Sequence, residues 1–181
     1  MTQTPDADER LEALRRAFDE QFSAPARVGA ATEPLLAVRT AAGRFVIPLA
    51  EIAGVHRCPD IVPLPGAVPG LLGLAGIRRR PVAVYSAAAL LGAAEGGPAR
   101  WLLVSREDTA LAVTVEDLEG TLHASPAELR PIRGEPGGHV TAVLERDGEA
   151  RSVLSLASLA GLALRRAGAA TRGSALADTE G

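Results

Sequence analysis

The chain has 181 residues, 47% of them hydrophobic but only 3% aromatic, and a formal net charge of −3 with pI near 5.7. That is enough apolar material for one domain or two small ones with a core of Ala, Val and Leu. It argues against a basic surface for nucleic acid or anionic lipid, and against one large aromatic-lined ligand cleft. Cys58 is the single cysteine, which excludes an internal disulfide. With no secretory pattern at the N-terminus and no uninterrupted apolar stretch long enough to span a bilayer, the chain is expected to be cytoplasmic, without direct membrane contact.

Thr4 is placed to cap a helix, Pro5 fits its first position, and Asp6, Asp8 and Glu9 put negative charge in its first turn. The spacing predicts a helix from about Pro5 to Gln21. Its apolar positions Ala7, Leu11, Leu14, Phe18 and Phe22 form one narrow stripe between charged side chains. Such a stripe needs cover from this protein's own domain, from a second copy as a homodimer, or from another partner. Residues 23–32, rich in Ala, Gly and Pro, read as a linker, so 1–32 is set apart.

From Leu35 the pattern turns to β. LLAVRT and RFVIP flank Ala42-Gly43 as a hairpin, Leu49 to Ile52 reads as a helical turn, and Val55 to Arg57 as another strand. The stretch from Ile61 to Leu91 then organises the chain, with a β-rich half on either side. It opens on an elbow, Pro63, Pro65, Gly66, Pro69 and Gly70, where torsions are fixed or freed. LLGLAGIR follows, then Arg79 and Arg80, then the strand PVAVY, and a helical turn ending in Leu90-Leu91-Gly92. Alternation sends Arg78 and Arg80 to one face and Arg79 to the other, unless a turn intervenes. Charge runs tend to be solvated, which makes Arg79 and Arg80 hairpin-tip residues.

After a loop over 92–99, Trp101 to Ser105 and TALAVTV form a second β unit around Glu107-Asp108. LEGTLHASPAELRPI runs from a short strand into a turn. Residues 133–138 are a loop, and HVTAVLERDGEARSVLSL is a hairpin on Asp147-Gly148. From Arg165 no periodic apolar face remains, so 165–181 reads as a disordered tail.

Chemistry is not evident. His56, His123 and His139 have no metal-like spacing to one another or to Cys58, which reads as a half-buried apolar residue at a strand end. Gly70-Leu71-Leu72-Gly73 lacks the lysine and spacing of a phosphate loop, and there is no nucleophile elbow. No enzyme activity, cofactor or metal is expected.

The order of strand, Pro-rich elbow, apolar-Gly-apolar, Arg, strand and Leu-Leu-Gly helix resembles the CheW family, adaptors that couple chemoreceptors to a histidine kinase. The family's elbow Pro-Gly-x-Pro stands here as Pro65-Gly66-Ala67-Val68-Pro69. Its G-x-x-N-L-R-G is Gly73-Leu74-Ala75-Gly76-Ile77-Arg78-Arg79, and its V-P-V-x-D-L is Val82-Ala83-Val84-Tyr85-Ser86-Ala87. Its Asn is therefore Gly76, the Gly after its arginine Arg79, its proline Ala83 and its aspartate Ser86, while the arginine survives as Arg78. A second aspartate is Ser155, in the closing Leu154 to Leu159, and a third is Glu116.

The resemblance extends from about Leu35 to Leu164, within a domain placed at 33–164. It implies a mainly β fold of two small five-stranded SH3-like barrels packed across a shared core, and about ten short strands are in keeping with it; the N-terminal helix read above lies outside the resemblance. It further implies a receptor-facing groove through Ile52, Gly54, Val55, Gly73 and Arg78, with Gly54 where the family usually has an acidic residue. The implied partners are a chemoreceptor cytoplasmic tip and the regulatory domain of a histidine kinase of the CheA type. The alternative is a divergent relative acting as competitor, decoy or homodimer without receptor coupling, motivated by Gly54, Gly76, Arg79 and Ser86.

Overall fold

A computed structural model describes residues 32–65, 68–94, 96–132, 138–146 and 148–177, with side chains through residue 170. The chain divides into two units, Met1–Thr32 and Glu33–Gly181. The predicted N-terminal helix, with Leu11, Leu14, Phe18 and Phe22, lies outside the described residues, as do Gly66 and Ala67 of the elbow. All the described strands and helices belong to the second unit.

The strands are β1 (Glu33–Thr40), β2 (Gly43–Pro48), β3 (Ile52–Arg57), β4 (Leu71–Ile77), β5 (Arg80–Ser86), β6 (Trp101–Ser105), β7 (Leu111–Val115), β8 (Asp117–Ala124), β9 (Leu129–Pro131), β10 (Val140–Arg146) and β11 (Glu149–Leu154). A 3-10 turn covers Leu49–Glu51, helix α1 is Ala87–Leu90, and helix α2 is Leu156–Ala177. The strands form a six-stranded sheet, β8-β1-β2-β11-β10-β9, and a five-stranded sheet, β3-β6-β7-β5-β4.

The expected pair of five-stranded barrels is corrected in two respects. One sheet has a sixth strand, because Leu129–Pro131 hydrogen-bonds along β10 and is more than the end of a turn. Neither sheet closes by a continuous ladder between its edge strands. Among the described residues, the five-stranded sheet is linked across its edges through Val62, which follows β3 in the chain and makes an isolated antiparallel bridge to Leu74 of β4.

The division into halves on either side of Ile61–Leu91 is also corrected. Segments 33–48 and 117–154 together make the first sheet, and the whole of 52–115 makes the second. The joining contact is the parallel pair β2–β11, Phe45 against Ser152 and Val46 against Val153. Sequence-distant strands of this kind carry no local signal of their partnership.

Alternation explains why several strands read as continuous apolar runs. Leu35 and Ala37 of β1 face the core of the first sheet with Val46, Leu144 and Val153, while Leu36 and Val38 face a core shared by both sheets. β6 does the same: Leu102 and Val104 pack with Val82, Val84 and Ala112 inside the second sheet, and Leu103 enters the shared core. Strands buried on both faces need no polar side. Leu156, Leu159, Ala160 and Ala163 of α2 complete the shared core at three- and four-residue spacing.

The tail expected to be disordered from Arg165 is helical through Ala177. Once the first turns are nucleated by packing, Ala-rich sequence propagates a helix at little cost even without an apolar face. Arg166 adds a tether, donating to the carbonyls of Pro69 and Ala89 at 3.4 and 3.3 Å.

The two sheets share one pairing pattern that no sequence identity betrays. β8-β1-β2-β11-β10 and β3-β6-β7-β5-β4 both run antiparallel, antiparallel, parallel, antiparallel. Both first strands carry a bulge near the start, at Glu119 and at Ala53. Both patterns end in a helix capped by serine: Ser86 Oγ accepts from Ala89 N at 3.2 Å, and Ser155 Oγ from Ser158 N at 3.1 Å.

Candidate functional site

Where β3 and β4 lie on opposite edges of their sheet, a solvent-open groove of about 360 Å³ separates them. Ala53, Gly54 and His56 form one wall, Ile77, Arg78 and Arg80 the other, and Val82 and Val104 the floor. The bulge between Ile52 and Gly54 turns β3 so that Gly54 and His56 face the groove. Gly54 keeps that wall low: a Cβ there would meet His56 Nε2 at 3.0 Å.

Arg78 and Arg79 occupy the two-residue connection between β4 and β5, with Ile77 paired to Arg80 and both φ angles positive, +48° and +65°. Asn-Gly is the pair that fits such a turn, because left-handed backbone costs an ordinary side chain about 1–2 kcal/mol. A turn does intervene, so strand alternation does not apply across it; with this turn Arg78 and Arg80 line the groove and Arg79 does not. Among the described residues, Arg39, Arg44, Arg130, Arg146 and Arg151 all pair with carboxylates, whereas Arg78 and Arg80 have no such pairing.

The other residues read from the sequence are distributed around this groove rather than gathered in it. Ile52 is buried in the shared core and contributes its carbonyl, which accepts from Arg106 Nη2 at 2.9 Å. Val55 lies outside the groove lining and is 38% exposed. Gly73 is buried against the elbow, where its backbone lies under Val62. Ala53, His56 and Arg80 join the site only in the structure; the i, i+2 relation of Gly54 to His56 within β3 is a sequence signal for His56.

The departures from the family motif leave the frame intact. Ser86 in place of aspartate still caps α1. Gly76 faces open space, with nothing within 4 Å of the place a Cβ would take.

The equivalent place in the six-stranded sheet holds a solvent-open groove of about 440 Å³ between β8 and β10, but its charged side chains are paired within the chain. The bulged Glu119 is held by Arg44 Nε at 2.7 Å and Arg151 Nη1 at 3.0 Å, and its carboxyl is pushed below the usual range, chiefly by the Arg44 hydrogen bond. Beside it, Glu128 accepts from Arg146 and from Ser125, which hold its pKa at about 2. No group of three or more potential metal ligands occurs among the described residues. Burial pushes the Cys58 thiol up, away from reactivity.

The family model of the CheW-like domain matches residues 34–163. Among solved structures, the chain is similar to the scaffolding protein TtCheW from Thermoanaerobacter tengcongensis, at 11% identity and a TM-score of 0.62, over 70% of this chain and 90% of that one. No curated protein matches. The order and pairing of the strands, the arginine turn after β4, and a family match over most of the chain lead to one assignment: this chain belongs to the family of CheW-like domains.

Proposed function

We propose that this protein is a non-catalytic adaptor that holds a chemoreceptor cytoplasmic tip and the regulatory domain of a CheA-type histidine kinase on one two-sheet frame. The observation that carries the reading is the groove between β3 and β4, open and apolar-floored, with two arginines lacking a carboxylate partner among the described residues. A guanidinium left unpaired at the rim of an apolar groove suits a partner surface bearing a carboxylate, which supplies the missing fork-to-fork contact. No helix among the described residues is long and apolar enough to cross a membrane, so membrane recruitment in this reading comes through the receptor.

The test is to titrate the protein separately with a receptor cytoplasmic hairpin and with the kinase regulatory domain. Binding to both supports the adaptor. Binding to the kinase alone supports the decoy, and binding to neither removes both readings. Arg78→Ala is expected to weaken the hairpin interaction about tenfold or more and to leave kinase binding unchanged.

A further inference from the structure

The shared pairing pattern singles out one carboxylate. Glu51 immediately precedes β3, as Glu116 immediately precedes the equivalent β8. Glu116 is held without a helix: Oε1 accepts from Gly97 N at 3.1 Å in the loop before β6, and Oε2 pairs with Arg39 of β1 at 2.9 Å. Glu51 reaches out of its own sheet to the start of α2, where Oε2 accepts from Ser155 Oγ at 3.1 Å and from Ala157 N at 2.9 Å. Ser155 directly follows β11 of the six-stranded sheet, and its backbone N donates to the carbonyl of His139 at 2.8 Å. An ionised acceptor on the first turn of a helix meets free N–H groups and the positive end of the dipole, so this contact is stronger than a neutral hydrogen bond.

The same short segment is fastened on its other side. Arg106 donates its backbone N–H to the Glu51 carbonyl and its Nη2 to the Ile52 carbonyl, each at 2.9 Å. Directly beyond these anchors come Ala53 and Gly54, the first residues of the groove wall. β3 is an edge strand, with β6 on one side only, so no second ladder holds its position.

We propose that Glu51 is a positioning residue for the groove. It spends its carboxylate on α2 and meets no partner directly. By tying the start of β3 to the end of β11, it fixes the groove wall relative to the six-stranded sheet. What binds the groove rests on the adaptor reading; the positioning role does not.

The experiment therefore has two arms on the full chain. In the first, amide hydrogen exchange is followed on the protein alone. Glu51→Ala is expected to speed exchange about tenfold or more across β3 and the first turn of α2, and to leave β1 and β2 unchanged. Glu51→Gln keeps an oxygen to accept from Ala157 N but loses the charge, and is expected to fall between Glu51→Ala and wild type. Unchanged β3 exchange in Glu51→Ala overturns the proposal; if that variant fails to fold, Glu51→Asp, whose shorter side chain draws the carboxylate away from Ser155 Oγ and Ala157 N and leaves the Ser155 cap on Ser158 in place, decides the same point.

In the second arm, the variants are titrated with a receptor cytoplasmic hairpin. Positioning predicts that Glu51→Ala weakens binding most and Glu51→Gln less, in the order of their effects on β3 exchange. Equal loss in Glu51→Gln and Glu51→Ala, with β3 exchange slower in Glu51→Gln than in Glu51→Ala, shows direct charge contact with the partner and overturns the proposal. A wild-type protein that ignores the hairpin defeats the adaptor reading and leaves the exchange arm to decide the role of Glu51.

Discussion

Gly73 and Val62 touch through their backbones: the Val62 carbonyl oxygen fills the place where a Cβ on Gly73 would stand, and Gly73 has φ +146°. The two hydrogen bonds exchanged by Val62 and Leu74, both 2.8 Å, draw the elbow onto the edge of β4 next to this glycine. The glycine is therefore a condition of the elbow's seating rather than a surface for a partner.

Gly73→Ala combines left-handed strain with a backbone clash that no rotamer relieves. It is expected to cost about 3 kcal/mol or more and to lower Tm by about 6–12 °C, measured by circular dichroism. An unchanged Tm refutes the close approach of Val62.

At the arginine turn the opposite holds. Arg79→Gly relieves about 1–2 kcal/mol of left-handed strain against about 0.5–1 kcal/mol of added chain entropy, so the urea midpoint should rise modestly. A lower midpoint would mean that Arg79 makes a compensating contact in the folded state.

Glu128 links stability to pH. Its carboxyl lies at about 2 in the fold, against an ordinary value of 4.5, because Arg146 and Ser125 bind the ionised form. A depressed pKa means that the unfolded chain takes up the proton first, so the contribution is fully present above about pH 4.5 and is lost as pH falls toward about 2. The stability difference between wild type and Glu128→Gln should be constant at neutral pH and should shrink across that window. A difference independent of pH from about 5 to about 2 would show that the ion pair does not form.

Leu159 is fully buried in the core shared by both sheets. Leu159→Ala should cost about 2–5 kcal/mol and leave a single cooperative unfolding transition. Two separated transitions would show that the sheets fold independently.

Much of the local structure is legible in the residues. Proline and glycine mark the elbow, and Asp147-Gly148 marks a hairpin whose strands pair from Arg146 and Glu149. The helix past Arg165 is not legible, because its apolar face ends where its packing ends, and continuation rests on alanine propensity and on Arg166 reaching the elbow. Arg80 does not announce its place in the groove, since it stands across a left-handed turn from Arg78, where strand alternation no longer relates the two.

The order of residues by itself determined where most strands and turns form and which side chains share a strand face, since these depend on torsions and a period of two. Only the tertiary structure decided that β2 lies beside β11, that the two sheets repeat one pairing pattern, and that Glu51 is held by α2 while Glu116 is not. Those relations join residues about a hundred positions apart, Glu51 and Ser155 among them, and chain distance on that scale leaves no periodic trace for side-chain type to report.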